Sequence, residues 1–274
     1  MSFASDYVAQ LERLASRARL PRLRALHLPP EPETGAERGE FCAVELEDGS
    51  LGLTFVLLGD TLDALRGLPP LAGGDALDLA RRYAGAPGVE RTLGFAVANA
   101  ITRWLFDRAG FVPPPAADSI GLLDPQPGDE IGMIGLFGPL VPRLVERGAR
   151  LTVVELRADL VGEREGWRVT TDARALQACS KVLATGTLLL NDTLDAMLGH
   201  CRGARRLALV GPSLGCLPDG LFARGVSSIG GSWIVEPAAF VQALRAGDAR
   251  GAASRKFTLA AADYPGFESL LARL

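Results

Sequence analysis

At 274 residues the chain can form one large domain or two modest ones. Apolar residues at 48% supply a sizeable core, and with a net charge of −3 nothing points to a nucleic-acid surface. No apolar run approaches the roughly 20 residues that span a bilayer, so the reading expects no nucleic-acid partner, no membrane contact and a cytoplasmic location.

Residues 1–24 lack the apolar stretch of a signal peptide. Tyr7, Leu11, Leu14 and Ala18 instead recur at helical spacing. A stretch rich in proline and glutamate at 28–39 reads as an exposed loop. Two β-rich runs, 41–47 and 51–58, flank Asp48-Gly49-Ser50, which signals a hairpin. Helical segments follow at 62–68, 75–83 and 89–108. Pro113-Pro114-Pro115 then interrupts the pattern, since consecutive prolines fix φ and remove N–H donors. The expected division is a smaller α+β domain at 1–117 and a second domain at 118–274.

In the second part short apolar runs alternate with helical ones. Strands are expected at 130–134, 150–154, 181–184, 206–210 and 226–229. Helices are expected at 139–147, 173–178, 191–201, 218–223 and 237–245. This alternation predicts right-handed βαβ units in a mostly parallel, Rossmann-like sheet.

The chemistry is expected at the carboxyl ends of those strands. The first ends in Gly132-Met-Ile-Gly135-Leu-Phe137-Gly138, close to but not the strict G-x-G-x-x-G dinucleotide fingerprint. Glycines there let backbone approach a ligand, and the following helix start offers free N–H groups. Glu155 closes the second strand about 20 residues later, where Rossmann folds place an acid that accepts from ribose hydroxyls. The other reading of Glu155 is a solvated residue beside a tight turn. Thr185-Gly186-Thr187 and Asn191 follow the third strand, where Asn191 serves equally as a helix cap. Gly211-Pro212-Ser213 ends the fourth strand, and Gly230-Gly231-Ser232 is expected to follow the fifth. Small polar loops at one edge of one sheet point to a ligand crevice.

Five segments together resemble a bacterial and archaeal family labelled a heavy-metal chelation domain. They are Ile134-Gly135-Leu-Phe137-Gly138-Pro139-Leu140, Leu151-Thr-Val-Val-Glu155, Ala184-Thr185-Gly186-Thr187-Leu188, Asn191-Asp192-Thr193-Leu194-Asp195 and Val210-Gly211-Pro212-Ser213. Gly94-Phe-Ala96-Val-Ala98-Asn99-Ala100 resembles that family's helix near the end of its first domain. The resemblance implies an enolase N-terminal-like domain before a Rossmann-like one, a ligand site between them, and a role in chelation or chelator handling. That family often carries glycine where this chain has Asp192.

A direct metal site needs clustered ligands. The chain has two histidines, His27 and His200, and four cysteines without CxxC spacing: Cys42, Cys179, Cys201 and Cys216. Asp192 and Cys216 are the candidate donors, though free cysteines are usually inert core residues. Gly211 to Gly215 has a G-x-S-x-G pattern around Ser213. The hydrolase reading fails because His200 precedes the serine and the helix begins late. Enolase chemistry is not implied, because its ligands belong to a barrel absent here. No catalytic residue is assigned. The leading expectation is a protein that binds a small anionic, nucleotide-like or metal-chelate ligand. The alternative is an enzyme that uses a nucleotide or S-adenosylmethionine cofactor, and self-association into a homo-oligomer stays open.

Overall fold

The computed structural model describes residues 2–31, 40–56, 60–118, 120–248 and 251–274. Most of the expected acidic loop, 32–39, and the last two residues of the expected hairpin, 57–58, lie outside them.

Helix α1 (Phe3–Ala15) starts with the Ser5 N–H donating to Ser2 Oγ. It buries Phe3, Tyr7, Leu11 and Leu14 along one stripe. Each such side chain contributes about 1.5–3 kcal/mol. The helix is shorter than the reading expected. Residues 23–27 instead form strand β1 (Leu23–His27), paired antiparallel to β2 (Glu40–Leu46). Pro21 between them cannot donate to a continuing helix. Strand β3 (Leu51–Val56) completes a three-stranded sheet in the order β1-β2-β3. The turn is the expected one: Gly49 has φ +92°, and Asp48 accepts from the Ser50 N–H and hydroxyl.

Short helices α2 (Thr61–Arg66) and α3 (Ala76–Arg81) lead into α4 (Val89–Arg108). The sequence suggests one apolar face on α4, but the helix is buried almost all round. On one side it lies against β3 at Gly52, where a Cβ would fall 2.0 Å from the Ala96 carbonyl oxygen. Only glycine permits that approach.

The large sheet contains eight strands: β4 (Glu130–Ile134), β5 (Arg150–Val154), β6 (Gly162–Arg164), β7 (Trp167–Thr170), β8 (Lys181–Thr185), β9 (Arg206–Val210), β10 (Ser228–Ile234) and β11 (Ser254–Ala260). Their order is β11-β10-β9-β8-β4-β5-β7-β6. The six inner strands are parallel, and the two edges are antiparallel. The fold is therefore α/β, with a large mostly parallel sheet and a smaller antiparallel one, as expected. Period-2 alternation covers both faces. In β8, Val182 and Ala184 join the core that contains α4, whereas Leu183 faces the core beneath α5 (Val141–Val145). Helices α6 (Leu194–His200), α7 (Asp219–Phe222), α8 (Pro237–Ala246) and α9 (Phe267–Leu271) complete the chain.

Three expectations are corrected. The segment 173–178 is a 3₁₀ turn, and α6 begins at Leu194 rather than 191. The hairpin β6-β7 and the edge strand β11 were not foreseen. Gly230-Gly231-Ser232 is not a loop but the middle of β10, which pairing with β11 prolongs to Ile234. A Cβ on Gly231 would lie 2.7 Å from the Phe257 ring, so the glycine admits that ring.

Candidate functional site

Strands β4, β5 and β7 extend the sheet in one direction from β4, and β8, β9 and β10 extend it in the other. The carboxyl ends of β4 and β8 are therefore a topological switch point, where α/β sheets open a crevice. At the end of β4, Gly135 turns with φ +80°. Its N–H donates to the Val154 carbonyl, and a Cβ would approach Thr185 Cγ2 to 3.0 Å. The next N–H, of Leu136, donates to Glu155 Oε2 at 2.9 Å. The Leu156 N–H donates to Oε1 at 2.7 Å. Two amides thus fix the carboxylate at the strand end, while its remaining lone pairs stay available.

After β8, the Thr185 hydroxyl accepts from the Thr187 N–H and hydroxyl at 3.3 and 3.2 Å. Asn191 Oδ1 accepts from the Thr193 N–H and, at 2.6 Å, from its hydroxyl. Asn191 thus closes a turn ahead of α6, whose N-cap is Thr193 and not Asn191, and it borders a cavity of about 320 Å³. Gly135, Phe137, Glu155, Thr185 and Thr187 border the same space, with Leu156, Thr171, Thr193 and Met197. We call it the switch cavity. A second cavity, of about 420 Å³, lies over β9, β10 and β11 across the Leu136-Phe137 wall. Phe137, Gly138, Gly211 and Pro212 border it.

Four of the expected residues face neither space. Gly186 is buried beneath Leu214, and Ser213 is 4% exposed, its carbonyl accepting from Asn99 Nδ2. Cys216 is sealed in the core, where burial pushes its thiol up to about 12. Asp192 stands outside as well, with its carboxylate 2.8 Å from Arg91 Nη2. A thiol must ionise to ligate a metal, and a carboxylate on an arginine is already neutralised. Among the described residues no group of three or more His, Cys, Asp or Glu side chains comes together to hold a metal ion. These residues do not fit a directly bound heavy metal.

The seam between α4 and the large sheet is also not an open crevice. Asn99 Nδ2 bridges the Leu53 and Ser213 carbonyls at 2.9 Å each, and the Arg103 guanidinium lies 3.9 Å from the Trp233 ring centre. The cavity left there is about 30 Å³, room for a single water. Every residue bordering the switch cavity and its neighbour falls between Ala116 and Thr258.

Arg91 was missed by the sequence reading. Buried at the start of α4, it donates to the Gly85 and Leu189 carbonyls and to Asp192, above the Tyr83 ring. Tyr83 donates to the same Leu189 carbonyl at 2.9 Å. The loop that carries Thr187 and Asn191 is thus held from the smaller half of the molecule. No local signal marked it, because α4 also carries Arg103 and Arg108 and only contacts distant in sequence distinguish Arg91.

A family profile described as "Putative heavy-metal chelation" matches residues 118–262, and a second profile of the same description matches 39–102. The chain belongs to this family. It is 29% identical over 153 residues to an uncharacterized protein of Methanocaldococcus jannaschii, and the match covers 54% of this chain. The chain spans only 56% of that relative's length. Two solved structures share the fold, each of a protein with unknown function from this family. One, from Pyrococcus horikoshii, has a TM-score of 0.67 at 20% identity and covers 94% of this chain and all of its own. The other, from Desulfitobacterium hafniense, has a TM-score of 0.66 at 21% identity, covering 95% of this chain and all of its own. Among the described residues, no helix is long and apolar enough to cross a membrane.

Proposed function

We propose that this family member binds a nucleoside-like small molecule, alone or as part of a metal chelate, in the switch cavity. The observation that carries the reading is the carboxylate of Glu155. It sits at the end of β5, held by the Leu136 and Leu156 amides and bordering the cavity. A carboxylate so placed accepts from vicinal hydroxyls, and ribose supplies them. The next side chain, Leu156, is 82% exposed, an apolar surface beside the acid against which a flat heterocycle can pack. Thr187 and Asn191 offer a hydroxyl and an amide from the opposite side. A metal reaches this site within the ligand, through donors that the ligand itself brings.

A second reading, an enzyme that uses such a nucleoside as cofactor, is favoured by the neighbouring cavity. Two spaces that share the Leu136-Phe137 wall suit a cofactor and a second reactant.

Titration calorimetry with adenosine, S-adenosylmethionine and nickel or zinc ions tests the proposal. The expected result is binding of a nucleoside probe, weakened about tenfold or more in Glu155→Gln, which keeps the acceptor for Leu136 but loses the charge. Equal affinity in Glu155→Gln, or binding of bare metal ions without any nucleoside binding, would overturn it.

A further inference from the structure

The larger cavity, over β9, β10 and β11, has a different character from its neighbour. Its walls are mostly apolar, with Leu136, Phe137, Leu140 and Val210 on the same face of the sheet. At about 420 Å³ it falls in the range of small-molecule sites, which pair apolar walls with a few placed polar groups. One full positive charge borders it, the ammonium of Lys256 on β11. The chain has two lysines, and the other, Lys181, is spent on a buried ion pair at the opposite end of the sheet. Among the described residues Lys256 makes no ion pair. The cavity's one acid, Asp118, is turned to its own loop, where Oδ1 accepts from the Ile120 and Leu122 N–H groups at 3.0 and 3.2 Å. Ser232 and Thr258 add hydroxyl-bearing side chains at the same wall.

Two glycines of β10 underlie this space. Gly230 and Gly231 lie in mid-strand, where glycine normally weakens a sheet. A Cβ on Gly230 would crowd Val210 Cγ1 at 3.3 Å, and one on Gly231 would meet the Leu214 carbonyl at 2.7 Å. A side chain on Gly230 would stand on the cavity side of the strand beside Val210 and Thr258, whereas Gly231 makes room for the Phe257 ring on the other face.

We propose that this cavity is a separate binding site for an apolar carboxylate, its anionic head on Lys256 and its hydrocarbon body against Phe137, Leu140 and Val210. Lysine suits such a head because it acts as a point charge on a flexible stem and can follow it. A carboxylate without an apolar body would gain only an exposed ion pair, worth little. A neutral apolar molecule would gain burial but no fixed orientation. The combination selects an amphiphilic anion. The site does not depend on the nucleoside reading of the switch cavity, and shares with it only the Leu136-Phe137 wall.

Octanoate is the probe, and octanamide its neutral counterpart. Calorimetric titration of the full chain should give saturable octanoate binding. It should weaken about tenfold or more in Lys256→Gln, recover in Lys256→Arg, and be matched by no comparable affinity for octanamide. Lys256 is exposed, so these variants keep the fold. Adenosine titrated into Lys256→Gln keeps its wild-type affinity if the two sites are distinct, and failure of adenosine to bind at all would count against the switch-cavity reading alone. Octanoate binding that is equal in wild type and Lys256→Gln, octanamide binding as tight as octanoate, or no octanoate binding to wild type would each overturn the proposal.

Discussion

The two ends of the parallel sheet handle polar groups in opposite ways. At the amino ends, Lys181 opens β8 and Asp129 precedes β4, both at least nine-tenths buried and 2.6 Å apart. Lys181 also donates to the Asp124 carbonyl, and Asp129 accepts from the Gln126 N–H at 2.7 Å and from Arg205. Every charge there has a protein partner. At the carboxyl ends, Glu155, Thr187, Asn191 and Lys256 stand at cavity walls with bonding capacity to spare. The same strands thus close one rim with internal pairing and leave bonding capacity open at the other. Burial with full pairing marks structure, and partial pairing beside a void marks function.

Breaking the closed rim should give the largest effect. Lys181→Met strands the Asp129 carboxylate in the interior and should cost about 3–5 kcal/mol in urea denaturation. Lys181→Met combined with Asp129→Leu should recover much of that, since the lone charge is gone. Adenosine affinity should stay unchanged in whichever variants fold, because the pair lies far from the cavities. The pH dependence has a definite sign. The hydrogen bond from Lys181 holds the Asp129 carboxyl below its ordinary value. Its stabilisation is therefore full above the unfolded carboxylate value of about 4 and is lost as pH falls through the lower folded value. Acid unfolding should show this component in wild type, and Asp129→Asn should lack it. If the two profiles coincide, the pair does not stabilise the closed rim in this way.

The tie between the open rim and the smaller half is the next test. Arg91→Met leaves the Gly85 carbonyl and Asp192 without their partner and should cost about 2–3 kcal/mol. It should also weaken nucleoside binding, because the 187–192 loop loses its anchor. Asp192→Gly should stay within about 1 kcal/mol of wild type. Asp192 has φ +61°, a left-handed conformation that costs most residues about 1–2 kcal/mol and glycine almost nothing. The relief offsets the loss of an ion pair whose carboxylate side is 56% exposed.

Much of the open rim was legible because it is local. Gly135, Glu155, Thr187 and Asn191 announce themselves by their spacing after apolar runs, and all four border the switch cavity. What stayed hidden depends on partners distant in sequence. Lys256 matters only because β11 folds back on β10, and Gly230 belongs to a strand only because of that pairing. Arg91 reads as an ordinary helical arginine until Leu189 and Asp192 arrive beside it. Ser213 and Cys216 misled for the same reason. A loop after a strand usually faces solvent, but α4 covers this one through Asn99, a contact the local sequence does not encode.

The smallest predicted effect separates two glycines of one loop. Gly135→Ala should lose about 1–2 kcal/mol, since φ +80° is strained for alanine and its methyl would crowd Thr185. Gly138→Ala should stay within about 0.5 kcal/mol or gain slightly. Nothing lies within 4 Å of a Cβ there, its φ is not positive, and alanine lowers the entropy of the unfolded chain. Thermal unfolding of the two variants measures the difference. If both lose stability equally, the loop is held by its flexibility along its whole length. If only Gly135→Ala does, one tight turn fixes Leu136 against Glu155, and the acid at the cavity wall is placed by the glycine six residues before α5 rather than by the helix itself.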